Sequence, residues 1–271
     1  MKTVEPYQTK LHSGTAYWMA RLAQMSYVRQ TDDAKPDEVT ILDKLKQEDS
    51  KFLDVQGFSK KSSQAILAVH EDYYCFAFRG TDQSIDWLDN LNAFPYNVLF
   101  GEFHRGFWNA VGDIWEELFE AYLERRKTHK KPLFLTGHSL GGAMATVASA
   151  KLIQMDWPFI STYTFGQPRA MTLDTSRKFD VYAGSRFFRF QNNNDIVTRA
   201  PARAMNYSHV GSFIYISQEK ELSNEPGFWY RFLDGVDGAF ESFRQIGRFD
   251  LVADHQMEDY LEAINAWNWV D

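Results

Sequence analysis

The stretch "LFLTGHSLGGAMA" (133–145) decides the fold. Leu133 to Thr136 form an apolar run typical of a buried strand, and a run of small residues typical of a helix begins at Ala143. Between them "GHSLG" (137–141) fits the pattern G-x-S-x-G, in which a sharp turn from strand to helix exposes a serine hydroxyl. The alternative interpretation is a glycine-rich turn with an incidental serine. The strand before the turn and the helix after it favour a nucleophile elbow with Ser139 as the nucleophile.

Helix-like and strand-like segments alternate from one end of the chain to the other. A helix is predicted where apolar residues recur every three or four positions, and a strand where they run together between turn residues. No internal repeat or Gly/Ser linker interrupts the series. The pattern predicts one α/β domain over residues 1–271, with a mixed or mostly parallel sheet flanked by helices. Helices are predicted at 16–28, 106–126, 140–153 and 257–267, and strands at 64–71, 73–80, 133–137, 159–166, 185–191 and 209–217.

Composition argues against several classes of protein. The formal charge of −7 disfavours a polyanionic partner such as nucleic acid. No apolar run is long enough to predict a membrane span, and "MKTVEPYQTKLHSG" (1–14) lacks the apolar stretch of a secretory signal. Cys75 is the single cysteine, so no intramolecular disulfide can form. These features favour a cytoplasmic location, with export by another route or a processed signal as the alternative.

The candidate general base is a histidine downstream of Ser139. A serine hydroxyl becomes a good nucleophile only when a neighbouring base takes its proton. In hydrolases with this elbow the chain order is serine, acid, histidine, which leaves His209 and His255. His255 opens the loop before the last predicted helix, where a side chain can reach over the sheet edge. His209 stands at the head of a predicted strand and is interpreted as a structural histidine, so we predict His255 as the base.

The candidate acid follows a predicted strand. In "SRFFRFQNNNDIVTRAP" (185–201) the strand ends in polar residues and Asp195 comes next, where α/β enzymes keep their reacting groups. Its carboxylate would accept the second ring N–H of His255 and stabilise the imidazolium. The alternative makes Asp195 a turn residue. Asp254 is adjacent to His255 but is predicted to cap the last helix instead.

Seven blocks of the sequence stand in a recognisable order: "FRGTDQSIDWLDNL" (78–91), "HRGF" (104–107), "LFLTGHSLGGAMA" (133–145), "YTFGQPRA" (163–170), "NNNDIVTRAP" (192–201), "YSH" (207–209) and "DHQMEDY" (254–260). In this order they resemble the class 3 lipases, α/β-hydrolases typified by triacylglycerol lipases of filamentous fungi. The resemblance covers most of the chain and implies the α/β-hydrolase fold. It implies Ser139, Asp195 and His255 as a catalytic triad, and Thr81 as the oxyanion-hole residue beside Leu140. The alternative makes Thr81 a turn residue at a strand end.

In this family the segment after Thr81 forms a lid. Residues 82–103 predict a short amphipathic helix followed by an apolar loop, which would cover the site in water and open at a lipid surface. The alternative places these apolar residues in the core. Asp82, Asp86 and Asp89 are interpreted as solvated or capping acids, so no metal site is predicted. The candidate lid and substrate-binding residues are Ile85, Trp87, Leu88 and Leu91.

Together these features predict a serine hydrolase that cleaves carboxylic esters with an apolar acyl chain, such as acyl glycerols. The expected partner is a lipid or small ester, with transient contact with a lipid interface and no metal or organic cofactor. Two alternatives stay open: phospholipase A1, and a non-catalytic interaction protein on a hydrolase scaffold. The sequence "GQPRAMT" (166–172) departs from the family's more usual "GQPRVGN". Acyl-chain preference and oligomeric state are therefore not predicted.

Overall fold

The computed structural model describes residues 2–31, 34–81, 94–223 and 254–267 of the chain. Every helix and strand predicted within these ranges has a counterpart there, and none of their helices is long and apolar enough to cross a membrane. The short amphipathic helix predicted at the start of residues 82–103 lies outside the described residues. The helices are α1 (Ser13–Met25), α2 (Glu38–Glu48), α3 (Arg105–Thr128), α4 (Leu140–Gln154), α5 (Leu173–Ala183) and α6 (Met257–Ala266). The strands are β1 (Phe52–Lys60), β2 (Ser63–His70), β3 (Tyr74–Phe78), β4 (Pro95–Val98), β5 (Gly101–His104), β6 (Leu133–His138), β7 (Thr162–Phe165), β8 (Met171–Thr172), β9 (Phe187–Asn192), β10 (Tyr207–Ser208), β11 (Ser212–Ile216) and β12 (Leu222–Ser223).

The main sheet has eight strands in the order β1-β2-β3-β6-β7-β9-β11-β12. Neighbours from β3 to β11 pair in parallel, and the pairs at the two edges are antiparallel. This confirms the predicted α/β class with a mixed, mostly parallel sheet. Because the carboxyl ends of parallel strands meet at one edge of a sheet, the loops after β6, β7 and β9 gather there.

Helices cover both faces of the main sheet, which explains the continuous apolar runs of its central strands. Alternate residues of a strand point to opposite faces. On β2, Ala65 and Leu67 pack in one core with α3, α4 and α5, whereas Ile66 and Ala68 pack in the other with α1, α2 and α6. Helix α4 is rich in Gly, Ala and Ser, and most of its residues are buried. Small side chains let this helix approach the sheet closely behind Ser139.

A second, four-stranded sheet has the order β10-β8-β5-β4 and was not predicted from the sequence. It changes the description of the candidate lid. The second part of residues 82–103 was predicted as an apolar loop, but residues 95–104 form the antiparallel hairpin β4–β5, in which Phe103 is fully buried in the core. The loop prediction was wrong because Phe103 packs in the protein interior. Ile85, Trp87, Leu88 and Leu91 lie outside the described residues.

Candidate active site

Ser139 lies on the turn that joins β6 to α4, at the carboxyl edge of the main sheet. Its backbone has φ 58° and ψ −130°, a combination that residues with a side chain rarely adopt. The Ser139 N–H donates to the carbonyl of Phe165 at 2.9 Å, and the Ser139 carbonyl accepts from the Gly142 N–H at 2.9 Å. These bonds hold the strained turn between a strand and a helix, which is the context predicted for a nucleophile elbow.

Two glycines allow the turn to pack against its neighbours. A Cβ on Gly137 would lie 2.2 Å from the carbonyl oxygen of Gly141, and a Cβ on Gly141 would lie 2.1 Å from the carbonyl oxygen of Phe78. Both distances are far below van der Waals contact and both involve backbone atoms, which cannot move aside. The glycines of the G-x-S-x-G pattern are therefore required by close packing of strand, turn and helix.

Asp195 and His255 come together from positions distant in the sequence. Asp195 follows β9 and His255 precedes α6, and His255 Nδ1 lies 2.8 Å from Asp195 Oδ2. Both side chains are almost fully buried, at 2% exposure for His255 and 0% for Asp195. The carboxylate accepts two further bonds, from the Val197 N–H to Oδ1 at 3.0 Å and from the Tyr260 O–H to Oδ2 at 2.6 Å. Three donors offset the cost of burying this carboxylate.

Gly166, the residue after β7, lies directly against the Asp195–His255 pair. Its φ is +59°, which favours glycine, and a Cβ there would lie 2.7 Å from Asp195 Oδ2 and 2.9 Å from His255 Nδ1. The backbone of Gly166 thus forms a close wall on one side of the pair. A side chain at this position would push the carboxylate and the imidazole apart.

The hydrogen bonds indicate which nitrogen of His255 can act as a base. Because an ionised carboxylate only accepts hydrogen bonds, we assign the ring proton to Nδ1, which leaves a lone pair on Nε2. Neither His255 Nε2 nor Ser139 Oγ has a hydrogen-bond partner among the described residues, and both atoms are buried. A neutral imidazole with a free Nε2 can accept the proton of a serine hydroxyl.

The two candidate oxyanion-hole residues border the same elbow. Leu140 is the first residue of α4, so its N–H has no acceptor within the helix. Thr81 follows Gly80, and a Cβ on Gly80 would lie 3.0 Å from Ser139 Cβ. The strand end that carries Thr81 therefore passes directly beside the serine, and Thr81 and His255 both line the same cavity.

This cavity has a volume of about 520 Å³. Charged and polar side chains account for much of its lining, with Arg21, Lys44 and Glu258 among them. Thr81, His138 and His255 mark the part nearest to the reacting groups. The complete lining among the described residues is Arg21, Gln24, Met25, Tyr27, Val28, Lys44, Thr81, His138, His255, Gln256, Met257 and Glu258.

The alternative candidates have other roles. His209 Nε2 donates to the carbonyl of Thr198 at 2.7 Å, and burial together with the nearby charges of Arg189 and Arg169 lowers the pKa of His209 well below its usual value. Asp254 was predicted to cap the last helix, but Gln256 occupies the N-cap of α6. The prediction for Asp254 was wrong because its carboxylate reaches backwards to the turn after β9, which it holds at Asn194 N with a distance of 3.2 Å.

Three residues at the site were not singled out from the sequence as functional. Tyr260 was predicted only as an apolar position of the last helix, because helical periodicity reports burial and not the direction of a hydroxyl group. His138 occupies the variable position before the serine, which the motif leaves open. Tyr27, whose hydroxyl oxygen lies 2.9 Å from His138 Nδ1, follows α1 and is far from the motif in sequence. No signal in a single sequence distinguishes these residues.

Known proteins resemble this chain in sequence. A family model described as Lipase (class 3) matches residues 75–205, a range that ends before His255. A lipase of Rhizomucor miehei is 31% identical over 148 residues, which are 52% of this chain and 40% of that protein. A secreted mono- and diacylglycerol lipase of Fusarium solani is 34% identical over 141 residues, which are 49% of this chain and 40% of that protein. The chain thus spans less than half the length of these curated relatives.

Solved structures resemble the fold. One is a triacylglycerol lipase whose catalytic centre is described as a serine protease triad; it has a TM-score of 0.67 and 22% identity, and the match covers 90% of this chain and 91% of that one. Another is a mutant protein of Penicillium cyclopium, with a TM-score of 0.71 and 18% identity, matched over 92% of this chain and 96% of that one. These likenesses confirm the α/β-hydrolase fold.

The relatives contradict the predicted cytoplasmic location. Several are named as secreted lipases, among them proteins of Malassezia globosa and Fusarium solani. The prediction relied on the single cysteine and on the composition of residues 1–14. The single cysteine does not indicate the compartment, because a protein with one buried thiol can fold in reducing or in oxidising surroundings.

Proposed function

We propose that the chain is a member of the class 3 lipase family, whose model matches residues 75–205. We further propose that it hydrolyses carboxylic esters of acyl glycerols or similar lipids through an acyl-enzyme on Ser139. The observation that carries the proposal is the buried Asp195–His255 hydrogen bond of 2.8 Å beside a strained serine whose hydroxyl is unpartnered among the described residues. Backbone strain, a buried charge and two open atoms (buried polar atoms without a hydrogen-bond partner) each reduce stability, so their occurrence together at one turn indicates a functional site.

The reaction follows from the positions of these atoms. Ser139 Oγ attacks the ester carbonyl while His255 Nε2 takes its proton, and Asp195 stabilises the imidazolium through Nδ1–H. The carbonyl oxygen becomes negative and is stabilised by the Leu140 N–H and by Thr81. His255 then donates the proton to the leaving alcohol. Water, activated by the same nitrogen, releases the fatty acid and restores Ser139.

Two observations favour a polar leaving alcohol. The cavity beside His255 is lined by Arg21, Lys44 and Glu258, which suit a partly hydrated group such as glycerol better than an acyl chain. The relatives include secreted lipases named for mono- and diacylglycerols. We therefore propose mono- and diacylglycerols as the substrate class and a site of action outside the cell.

The test compares Ser139→Ala with a matched serine control. We expect wild-type protein to release p-nitrophenol from butyrate and octanoate esters, and Ser139→Ala to lose at least about 10⁴-fold in kcat. Ser176→Ala should retain full activity, because Ser176 is a buried serine of α5 that donates to the carbonyl of Leu173. Equal turnover of Ser139→Ala and wild type would exclude the acyl-enzyme.

Natural substrates then separate the alternatives. Emulsified dioctanoylglycerol and phosphatidylcholine vesicles are supplied in parallel, and released fatty acid is titrated. Faster release from the diacylglycerol supports the proposal, whereas faster release from phosphatidylcholine favours the phospholipase alternative. No release from either substrate or from p-nitrophenyl esters would indicate a non-catalytic interaction protein.

A further inference from the structure

His138 is a buried, titratable side chain that has no part in the proton transfers of the proposed reaction. It is the last residue of β6 and has 5% of its surface exposed. Nε2 lies 2.8 Å from the carbonyl oxygen of His255, and Nδ1 lies 2.9 Å from the hydroxyl of Tyr27. Both ring nitrogens therefore have partners.

These partners define a single protonation state of the ring. A carbonyl oxygen only accepts, so the proton must be on Nε2, and Nδ1 then accepts from the Tyr27 O–H. Burial, followed by the nearby charge of His255, lowers the pKa of His138 well below its usual value. The ring is thus a neutral group with a fixed tautomer, and it donates in one direction and accepts in the other.

The same ring also packs on the imidazole of His255. The two ring centroids are 4.5 Å apart and their planes meet at 31°. His255 is therefore confined by Asp195 at Nδ1 and by the backbone of Gly166 close to its edge, with His138 against its face. Its carbonyl is held by the same His138. The one polar side-chain atom of His255 left without a partner in the described structure is Nε2.

Tyr27 connects His138 to the segment that carries Thr81, the candidate oxyanion-hole residue. A Cβ on Gly80 would lie 2.3 Å from the Tyr27 hydroxyl and 2.7 Å from the His138 carbonyl oxygen. The phenol thus packs against the glycine immediately before Thr81. Through His138 and Tyr27, four distant segments of the chain are joined: the one after α1, the one before Thr81, the elbow that carries Ser139, and the loop that carries His255.

We infer that His138 is a positioning residue for this reaction: its Nε2–H and ring face hold His255 so that the open nitrogen of that imidazole is presented to Ser139. The inference rests on the proposed function. A small displacement of a general base reduces the rate strongly, because proton transfer requires hydrogen-bond distance. The neutrality of His138 matters as well, since a second positive charge against the His255 ring would oppose formation of the imidazolium.

Two substitutions separate the hydrogen bond from the packing. His138→Phe keeps a ring of similar size but removes the donor, and we expect kcat to fall about 100-fold with little change in KM. His138→Gln places an amide N–H near the position of Nε2, and we expect it to restore kcat to within about tenfold of wild type. The matched control is His70→Phe, since His70 is a buried, hydrogen-bonded histidine packed on Phe52 and Tyr73. It should lower stability without lowering kcat.

Tyr27→Phe gives a second measurement that does not depend on the folding of His138→Phe. Without the phenol O–H, Nδ1 loses its donor and the ring is free to adopt the other tautomer, which cannot donate to His255. We expect kcat to fall about tenfold, and the loss should not add to that of His138→Phe in the double variant. Tyr74→Phe is the control, because it removes a phenol that donates to the carbonyls of Arg125 and His129 at the C-terminal end of α3, outside the cavity lining.

Proton NMR supplies a readout independent of any substrate. The Nδ1 proton of His255, shared with Asp195, should give a resolved downfield resonance in wild type and in His138→Gln. In His138→Phe it should broaden or disappear, because the ring is less restrained and exchange with water is faster. Wild-type protein inactive on every ester would refute the proposed function while leaving this comparison intact. Wild-type kcat together with an unchanged resonance in His138→Phe would overturn the role of His138.

Discussion

The acid side and the nucleophile side of the site differ in how completely their polar atoms are paired. On the acid side, Asp195 accepts from His255, Val197 and Tyr260, and the Tyr260 hydroxyl in turn accepts from the Asn192 N–H at 2.9 Å. On the nucleophile side, Ser139 Oγ and His255 Nε2 are buried and have no partner among the described residues. His255 belongs to both sides, with one nitrogen paired and the other open.

Under the proposed mechanism, this difference separates the atoms that react from the atoms that support them. An unpaired buried polar atom costs about 1–3 kcal/mol, so the two open atoms of this site reduce stability unless they serve another purpose. In the proposed reaction, Ser139 Oγ and His255 Nε2 exchange partners during each turnover, and a permanent bond would oppose that exchange. The bonds to Asp195 remain in place throughout the reaction. Complete pairing on this side therefore keeps the imidazole oriented while the other side changes.

The largest expected effect comes from breaking the paired side at its centre. Asp195→Asn replaces one accepting oxygen by an NH2 group, which would face a donor from His255, Val197 or Tyr260. His255 must then carry its proton on Nε2, where it can no longer act as a base. We expect kcat for p-nitrophenyl butyrate to fall on the order of 10³–10⁴-fold, with the protein still folded.

Asp254→Asn is the control for this substitution. Asp254 is adjacent to His255 in sequence, yet its carboxylate bonds to Asn193 and Asn194 and not to the imidazole. The kcat of Asp254→Asn should stay near the wild-type value. Similar losses in the two variants would mean that loop structure, and not the bond at Nδ1, determines the rate.

A smaller effect is expected from Gly166→Ala. This substitution disturbs the contact between the backbone of Gly166 and the Asp195–His255 pair without removing any polar group. The new Cβ would lie under 3 Å from both Asp195 and His255 at a φ of +59°, so the two side chains must shift. We expect kcat to fall about 100-fold and stability to fall by about 1–2 kcal/mol. Urea unfolding followed by Trp fluorescence measures the second quantity.

Gly112→Ala shows what the same substitution does without a contact. Gly112 lies in α3, and a Cβ there would meet nothing within 4 Å. Alanine is the better helix former, so this variant should gain about 0.5–1 kcal/mol and keep its kcat. Normal activity in Gly166→Ala would show that the pair tolerates displacement, and fixed geometry of the acid side would then not be a requirement for the reaction.

The sequence predicted the nucleophile side more fully than the acid side, and the reason is physical. The elbow is local: Gly137, Ser139 and Gly141 are close in sequence, and the flanking strand and helix carry strong apolar patterns. Asp195 and His255 were predicted from the order of the chain and from the family resemblance. Their hydrogen bond, by contrast, depends on a fold that joins residues 60 positions apart.

Elements with weak apolar patterns were missed. Helix α2 buries only Ile41 and Leu45 among its residues, too few to give a clear helical period. Strands β8 and β10 have two residues each, so no alternation can be read from them. The hydroxyl of Tyr260 was missed for a different reason. A pattern of apolar positions predicts that a side chain is buried, but not that its one polar atom bonds to a carboxylate.

The smallest expected effect on kcat concerns an open atom outside the site, where a substitution should change stability alone. His104 Nε2 is buried without a partner among the described residues, while Nδ1 accepts from the Phe107 N–H at the start of α3. Burial lowers the pKa of His104 to about 4. In the unfolded chain the pKa of this histidine is near 6.5. Between pH 6.5 and pH 4 the unfolded chain therefore binds a proton at His104 that the native state does not. The free energy of unfolding is highest above pH 6.5, and it falls by about 2 kcal/mol between pH 7 and pH 5.

His104→Asn keeps an oxygen that can accept from Phe107 N–H and removes the titrating ring. Urea unfolding at pH 7 and pH 5 should show a smaller loss of stability in this variant than in wild type, and kcat should change little at either pH. An equal loss in both proteins would assign the acid sensitivity to other groups, such as the buried His138 and His209, whose pKa values are also lowered. A large fall in kcat would instead place His104 with the reacting groups. His104 Nε2, at the end of a strand of the second sheet, would then count among the open atoms that serve the reaction and not among those that only reduce stability.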